Sequence, residues 1–125
     1  MKIKFKKSKL HGNGVFAVTD IKKNEIIEIC PILILSKKDT KEIDKTNLYN
    51  YYFAWGKNNS AISLGYGSLY NHSYEPNARY EDDFLNNRLI FKSIKKIKKG
   101  EEITVNYNGD PEDKEKVWFE KDGNK

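Results

Sequence analysis

Asn71 and His72 open a dense polar stretch, Asn71-His72-Ser73-Tyr74-Glu75-Pro76-Asn77, entered through Leu64-Gly65-Tyr66-Gly67-Ser68-Leu69-Tyr70. An Asn beside a His can present an amide and an imidazole to one ligand, and a nearby proline fixes the chain just beyond them. A plain exposed turn between apolar segments has the same composition, so on these residues alone both readings stand. A second candidate is His11-Gly12-Asn13-Gly14-Val15-Phe16-Ala17. Its two glycines let the backbone bring its own N–H and C=O groups close to a ligand, although a simple β-turn fits equally well. The spacing Gly12-x-Gly14-x-x-Ala17 formally matches the dinucleotide fingerprint. That motif requires an apolar strand before it, a helix after it and an acid about twenty residues on. Here Phe5-Lys6-Lys7-Ser8-Lys9-Leu10 precedes it, turns follow it and no acid stands near Ile34, so the dinucleotide reading fails. Cys30, within Ile26-Ile27-Glu28-Ile29-Cys30, reads as a buried inert thiol rather than a nucleophile.

Composition narrows the partners. The 125 residues suffice for one domain with its own core. With 33% charged residues but 13% aromatics, the chain reads as folded rather than disordered. Lys and Arg number 23 against 18 acids, a net charge of +5, and most of the excess is lysine in runs such as Lys95-Lys96-Ile97-Lys98-Lys99. Scattered lysine suits protected strand edges; a nucleic-acid surface would bring more Arg with stacking aromatics among the cations. Nucleic acid is therefore not the expected partner. A single cysteine excludes an internal disulfide and a Cys-cluster zinc site, so no metal is expected. The alternating N-terminus is no signal-peptide core and no stretch reaches membrane-spanning length. The expectation is a soluble, intracellular, cytoplasmic protein off the membrane, in which glycosylation-pattern matches at Asn58 and Asn71 carry no meaning.

The elements that must position these residues are short. Lys2 to Lys7 alternates as an edge strand does, and 11–17 turns into another. Glu25 to Cys30 and Ile32 to Leu35 read as strands around Pro31, which belongs at an edge, bend or bulge. Ser36 to Thr46 is loop-like with at most one helical turn. Leu48 to Trp55, read as a strand, would put Tyr49, Tyr51, Phe53 and Trp55 on one face. Ala61 to Leu64 is a short buried strand, and Ser68 to Tyr70 a single helical turn. Ala78 to Asp83 and Arg88 to Ile94 form a hairpin about Asn86-Asn87. Ile103 to Tyr107 is the last strand, and Val117-Trp118-Phe119 is an apolar patch that needs a docking site. Many short strands with turn signals between them give a mainly β domain of several small sheets.

Three stretches then occur in one order: HGNGVFA at 11–17, NHSYEPN at 71–77 and GEEITVNY at 100–107. Together they resemble the SET domain, the β-clip-like fold of S-adenosylmethionine-dependent protein-lysine methyltransferases. The likeness runs from Lys2 to Tyr107, giving a SET domain at 1–108 and a short post-SET-like tail at 109–125. It implies a knot-like C-terminal crossing in which the segment carrying Tyr107 threads beneath Asn71-His72, with only short helical turns elsewhere. It implies cofactor contacts from His11, Gly12, Asn13 and Gly14 and from Asn71 and His72, and a catalytic role for Tyr107. The aromatic segment at 48–55 would add Tyr51 as a further cofactor contact, with Tyr52 beside it, and Tyr52, Val105 and Tyr107 would wall the substrate channel. The tail would close over the cofactor through Trp118.

Methyl transfer from a sulfonium to a lysine amine is an in-line displacement that needs positioning in a dry site rather than a metal or a covalent nucleophile. Lysine, with a reference pKa of about 10.4, must lose its proton, and burial beside a like charge favours that. Aromatic walls also tolerate the cationic methylated product. The chain departs from the family pattern in lacking a cysteine-rich zinc tail and in carrying Pro111 where some relatives have a second Tyr. Val105, where several relatives carry a Phe or Tyr that limits methyl count, leans toward more than one methyl per lysine. The expected substrate is a lysine of a protein or peptide, a histone or another basic protein, acted on by a monomer or homodimer; a nuclear or host-directed role stays open. Two other classes compete: a catalytically inactive SET-like module that binds cofactor or protein, and a basic nucleic-acid-binding β-domain.

Overall fold

The computed structural model describes residues 2–10 and 12–117. Its strands build two small sheets. In the first, β1 (Ile3–Lys7) pairs antiparallel with β2 (Asn13–Ala17), β2 with β9 (Glu102–Val105), and β9 runs parallel to β6 (Asn71–His72). In the second, the order is β4 (Phe53–Trp55), β5 (Asn59–Ser63), β3 (Ile26–Leu35), β8 (Arg88–Ser93) and β7 (Ala78–Asp83), all antiparallel. The expectation of a mainly β domain built from several small sheets holds.

One apolar cluster joins the sheets. Val15, Ala17, Ile103 and Val105 from the first meet Cys30, Ala61, Leu89 and Phe91 from the second, all nearly excluded from solvent. The alternation of β8 explains its share: Leu89, Phe91 and Ser93 point inward while the residues between them are half-buried. Cys30 is buried and free as expected, and desolvation pushes its thiol up to about 12, so it is no nucleophile at neutral pH.

Three local expectations are corrected. Glu25–Cys30 and Ile32–Leu35 are one strand, not two. Ile26 to Pro31 pairs with β8, and Ile32 to Leu35 with β5, so Pro31 stands where β3 changes partner. Its missing N–H therefore costs little, and its carbonyl accepts from Leu64 N–H at 2.9 Å. Ser36–Thr46 holds a real helix, α1 (Lys37–Ile43), started by the Ser36 hydroxyl accepting from Asp39 N–H at 3.1 Å. Leu48–Trp55 is not a continuous strand. Asn47–Asn50 is a 3-10 helix capped by the Thr46 hydroxyl, and only Phe53–Trp55 is extended. Tyr49 and Tyr51 therefore do not share a pleat face with Phe53 and Trp55.

The first sheet contains the crossing. Asn71 pairs with Thr104 and His72 with Val105. Beyond β6, Ser73 N–H donates to Val105 O at 3.0 Å, Thr104 N–H donates to Asn77 Oδ1 at 2.9 Å, and Asn77 Nδ2 donates to Glu102 O at 2.8 Å. Residues 71–77 thus lie along the whole of β9. The chain then turns back past Tyr74: Lys114 Nζ donates to its carbonyl at 2.6 Å and Val117 N–H to its hydroxyl at 3.2 Å. Val117 is buried there, which gives the first residue of the apolar tail patch its docking site; Trp118 and Phe119 lie outside the described residues.

Candidate active site

Tyr107 leaves β9 where the three stretches converge. Its N–H donates to His72 Nδ1 at 3.0 Å, so that imidazole nitrogen carries no proton. Its hydroxyl donates to the Tyr70 carbonyl at 2.7 Å, one residue before Asn71. Both ends of the tyrosine are therefore held by the segment that carries the Asn-His pair. Tyr80 adds a third constraint, its hydroxyl donating to the Tyr107 carbonyl at 3.4 Å. Burial, reinforced by Tyr51, Glu102 and Tyr80, pushes the Tyr107 hydroxyl above the ordinary tyrosine range, so it stays protonated.

The glycine turn touches the same place. Asn71 Nδ2 donates to Asn13 O at 3.0 Å and to Glu102 Oε2 at 2.7 Å, and Glu102 Oε1 accepts from Ser8 Oγ at 2.6 Å. Gly14 is needed here because a Cβ on it would run into the Glu102 carboxylate and the Asn71 amide. Gly12 has φ +52° with open space around it, a left-handed turn position that glycine takes without strain. Sequence analysis singled out the 100–107 stretch for Tyr107 and assigned Glu102 no role. In the structure it joins β1's exit, the glycine turn and Asn71, and the signal available was its place one residue into a strand aimed at Tyr107.

A cavity of about 390 Å³ opens beside Tyr107. Tyr51, Tyr52, Phe53, Tyr70, Tyr80 and Val105 contribute to its wall. Tyr70 stacks on Phe91 at 4.4 Å between ring centroids and donates its hydroxyl to Glu28 Oε1 at 2.7 Å, which fixes the wall from behind. Of the two neighbouring tyrosines, Tyr52 donates its hydroxyl to Asp44 Oδ1 at 2.8 Å; burial, then that carboxylate, push it up to about 12. Tyr51 is the one whose hydroxyl acts electrostatically on Tyr107. Val105 is buried in the wall next to Tyr107. In the same wall the Ser68 hydroxyl is buried without a hydrogen-bond partner among the described residues.

The structure thus brings together Gly12, Asn13, Gly14, Asn71, His72 and Tyr107, with Tyr51, Tyr52 and Val105 around the adjoining cavity. His11 and Trp118 lie outside the described residues. The Asn71 carboxamide and the His72 imidazole join the glycine turn to Tyr107, and an aromatic cavity opens at Tyr107 itself.

Residues 12–108 match the SET domain family model, and the chain belongs to that family. Its class is that of the protein-lysine methyltransferases. The chain is 32% identical over 110 residues to a Schizosaccharomyces pombe histone-lysine N-methyltransferase specific for H3 lysine-37, spanning 87% of this chain and 71% of that one. It is 34% identical over 120 residues to the H3 lysine-36-specific histone-lysine N-methyltransferase of Candida albicans, of which it spans only 14%. Among solved structures, a candidate histone methyltransferase of Plasmodium falciparum superposes with a TM-score of 0.73 at 41% identity, covering 94% of this chain and 96% of that one. A Polycomb complex ctPRC2 structure, at 24% identity and a TM-score of 0.72, shares the fold.

Proposed function

We propose that this chain transfers a methyl group from S-adenosylmethionine to the side-chain amine of a protein lysine, with histone H3 the first substrate to test. The observation that carries the proposal is Tyr107, held by His72 and Tyr70 at the inner end of an aromatic cavity next to the glycine turn. The donor set fits the cofactor. The Asn71–Asn13 hydrogen bond puts the turn and the Asn-His pair in direct contact, so one ligand with a charged amino-acid end and a heteroaromatic end can span both. Gly12, Asn13, Gly14, Asn71 and His72 would hold it, with Tyr51 at the cavity side and His11 and Trp118 as further contacts. When bound, the cofactor supplies an electrophilic methyl group on a sulfonium.

The residues of the chain do the rest. The aromatic cavity strips water from the entering lysine, and its desolvation favours the neutral amine that can act as a nucleophile. Tyr107 keeps its proton, donating a hydrogen bond to the Tyr70 carbonyl, and offers the lone pairs of its oxygen toward the amine and the methyl group. Tyr51 and Tyr52 wall the cavity, and Val105 leaves room where a ring would crowd a methylated amine, which favours more than one methyl. Radiolabelled S-adenosylmethionine incubated with this chain and histone H3 tests the reading: label on lysine supports it, and its absence across histones and a whole-cell extract refutes it. The histone-specific names of the relatives favour chromatin, and hence a nuclear site of action, over the cytoplasmic expectation.

A further inference from the structure

Three successive acids, Glu81, Asp82 and Asp83, lie on β7, and the pleat separates them. Glu81 and Asp83 share one face of the strand and are half-buried there, where cations neutralise them. Arg79 sits 2.5 Å and Lys92 3.3 Å from Glu81, and Arg88 Nε donates to Asp83 at 2.7 Å. Asp82 points the other way, on the face of Ala78 and Tyr80, and lines the cavity that holds Tyr107. Among the described residues it has neither an ion pair nor a hydrogen bond. It stands exposed at the rim, yet the wall desolvates it enough to raise its pKa. The Tyr80 hydroxyl reaches the Tyr107 carbonyl, and Asp82 lies two residues further along the same strand face, about 7 Å from Tyr80. Asp82 is exposed where Tyr107 is half-buried, so its carboxylate faces the solvent side of the shared cavity, where the substrate's main chain would lie, rather than the reacting amine.

We propose that Asp82 selects substrates by pairing with an arginine or lysine that flanks the target lysine. The proposal rests on the reading of the cavity as the lysine channel. A chain with a net charge of +5 repels a basic peptide at long range, so a local unpaired carboxylate at the channel mouth is where attraction can be recovered. Because Glu81 and Asp83 already have partners, charge alone would not single out Asp82; its orientation does.

The test uses the full chain with S-adenosylhomocysteine and fluorescently labelled alanine-based peptides that carry a central lysine. Each of the two positions on either side bears Arg, Ala or Glu in turn, and binding is read by anisotropy. At one flanking position the Arg peptide binds about fivefold tighter than the Ala peptide, the scale of one partly exposed ion pair. Asp82→Asn reduces that ratio to about one, Asp82→Lys inverts it in favour of Glu, and Asp82→Glu keeps it. The proposal is overturned if the ratio survives in Asp82→Asn, if no flanking charge matters in the native chain, or if the variants weaken all peptides equally. Methyl transfer to the same peptides separates the two claims. Charge-selective, Asp82-dependent binding without transfer refutes the reaction and leaves the selectivity; transfer without that selectivity refutes Asp82 alone.

Discussion

Tyr107 is fixed at both ends by a segment more than thirty residues earlier in the chain, its N–H by His72 and its hydroxyl by the Tyr70 carbonyl. The geometry explains why these residues were legible before any fold was known: each uses backbone groups of the others, so the motifs must travel together. Glu102 was not legible. It bonds Asn71 and Ser8 from positions 31 and 94 residues away in sequence, and no local pattern reports such a partner. Replacing it distinguishes shape from charge. Glu102→Ala strands the Asn71 amide and the Ser8 hydroxyl and should cost about 2–3 kcal/mol of stability, with weaker cofactor binding. Glu102→Gln keeps an oxygen for Asn71 and turns its amide toward a hydroxyl that can accept, so it should cost under about 1 kcal/mol. Denaturant unfolding of the two variants checks this; equal losses would mean that Glu102 acts through its charge alone.

Tyr107 leaves the predicted pH response to the substrate amine. Its hydroxyl is held above the ordinary tyrosine range by burial, so it keeps its proton while the substrate lysine loses its own. Turnover per cofactor-bound enzyme should therefore rise through pH 7 to about 9 as the amine deprotonates, with no falling limb from Tyr107 below about pH 10. A steady-state kcat/KM profile on a fixed peptide tests the sign: a fall between pH 8 and 9 would show Tyr107 ionising in the working range.

Among the elements, β9 was the most readable and the 47–55 segment the least. Residues 102–105 follow a glycine turn and alternate into a buried run, which only a strand satisfies. Residues 48–55 carry five aromatics, and such content favours strand, but the Thr46 hydroxyl caps Leu48 N–H and tightens the chain into a 3-10 turn instead. The consequence is local: that turn sets Tyr51 against the cavity beside Phe53 of β4. Pro31 was placed at an irregularity from chemistry alone, but the exchange of partner strands there depends on β5 and β8, which no local rule reveals. The C-terminal segment belongs to this scale too. Val117 is buried, and Lys114, Glu115 and Val117 bond Tyr74 and Asn108. Removing residues 114–125 should lower Tm by about 10 °C through lost burial and hydrogen bonds. The same deletion should weaken S-adenosylmethionine binding in calorimetry. Unchanged affinity would show that the tail is structural and does not close over the cofactor.

At the scale of the molecule, the first sheet brings the glycine turn, Asn71-His72 and the segment leading to Tyr107 together, and the second adds Phe53, Tyr80 and Asp82 to the cavity wall, with one core between the sheets. Small sheets suit this purpose because each strand is anchored by its neighbours for only a few residues, leaving its ends to build the site. The central claim is that Tyr107 drives methyl transfer to lysine in that site. The direct measurement is transfer from radiolabelled S-adenosylmethionine to histone H3 by the native chain and by Tyr107→Phe, with cofactor affinity of both proteins measured by calorimetry. The account predicts label on lysine with the native chain and the loss of most of it in the variant, while the variant folds and still binds cofactor. Near-normal labelling by Tyr107→Phe, or none by the native chain, would contradict it.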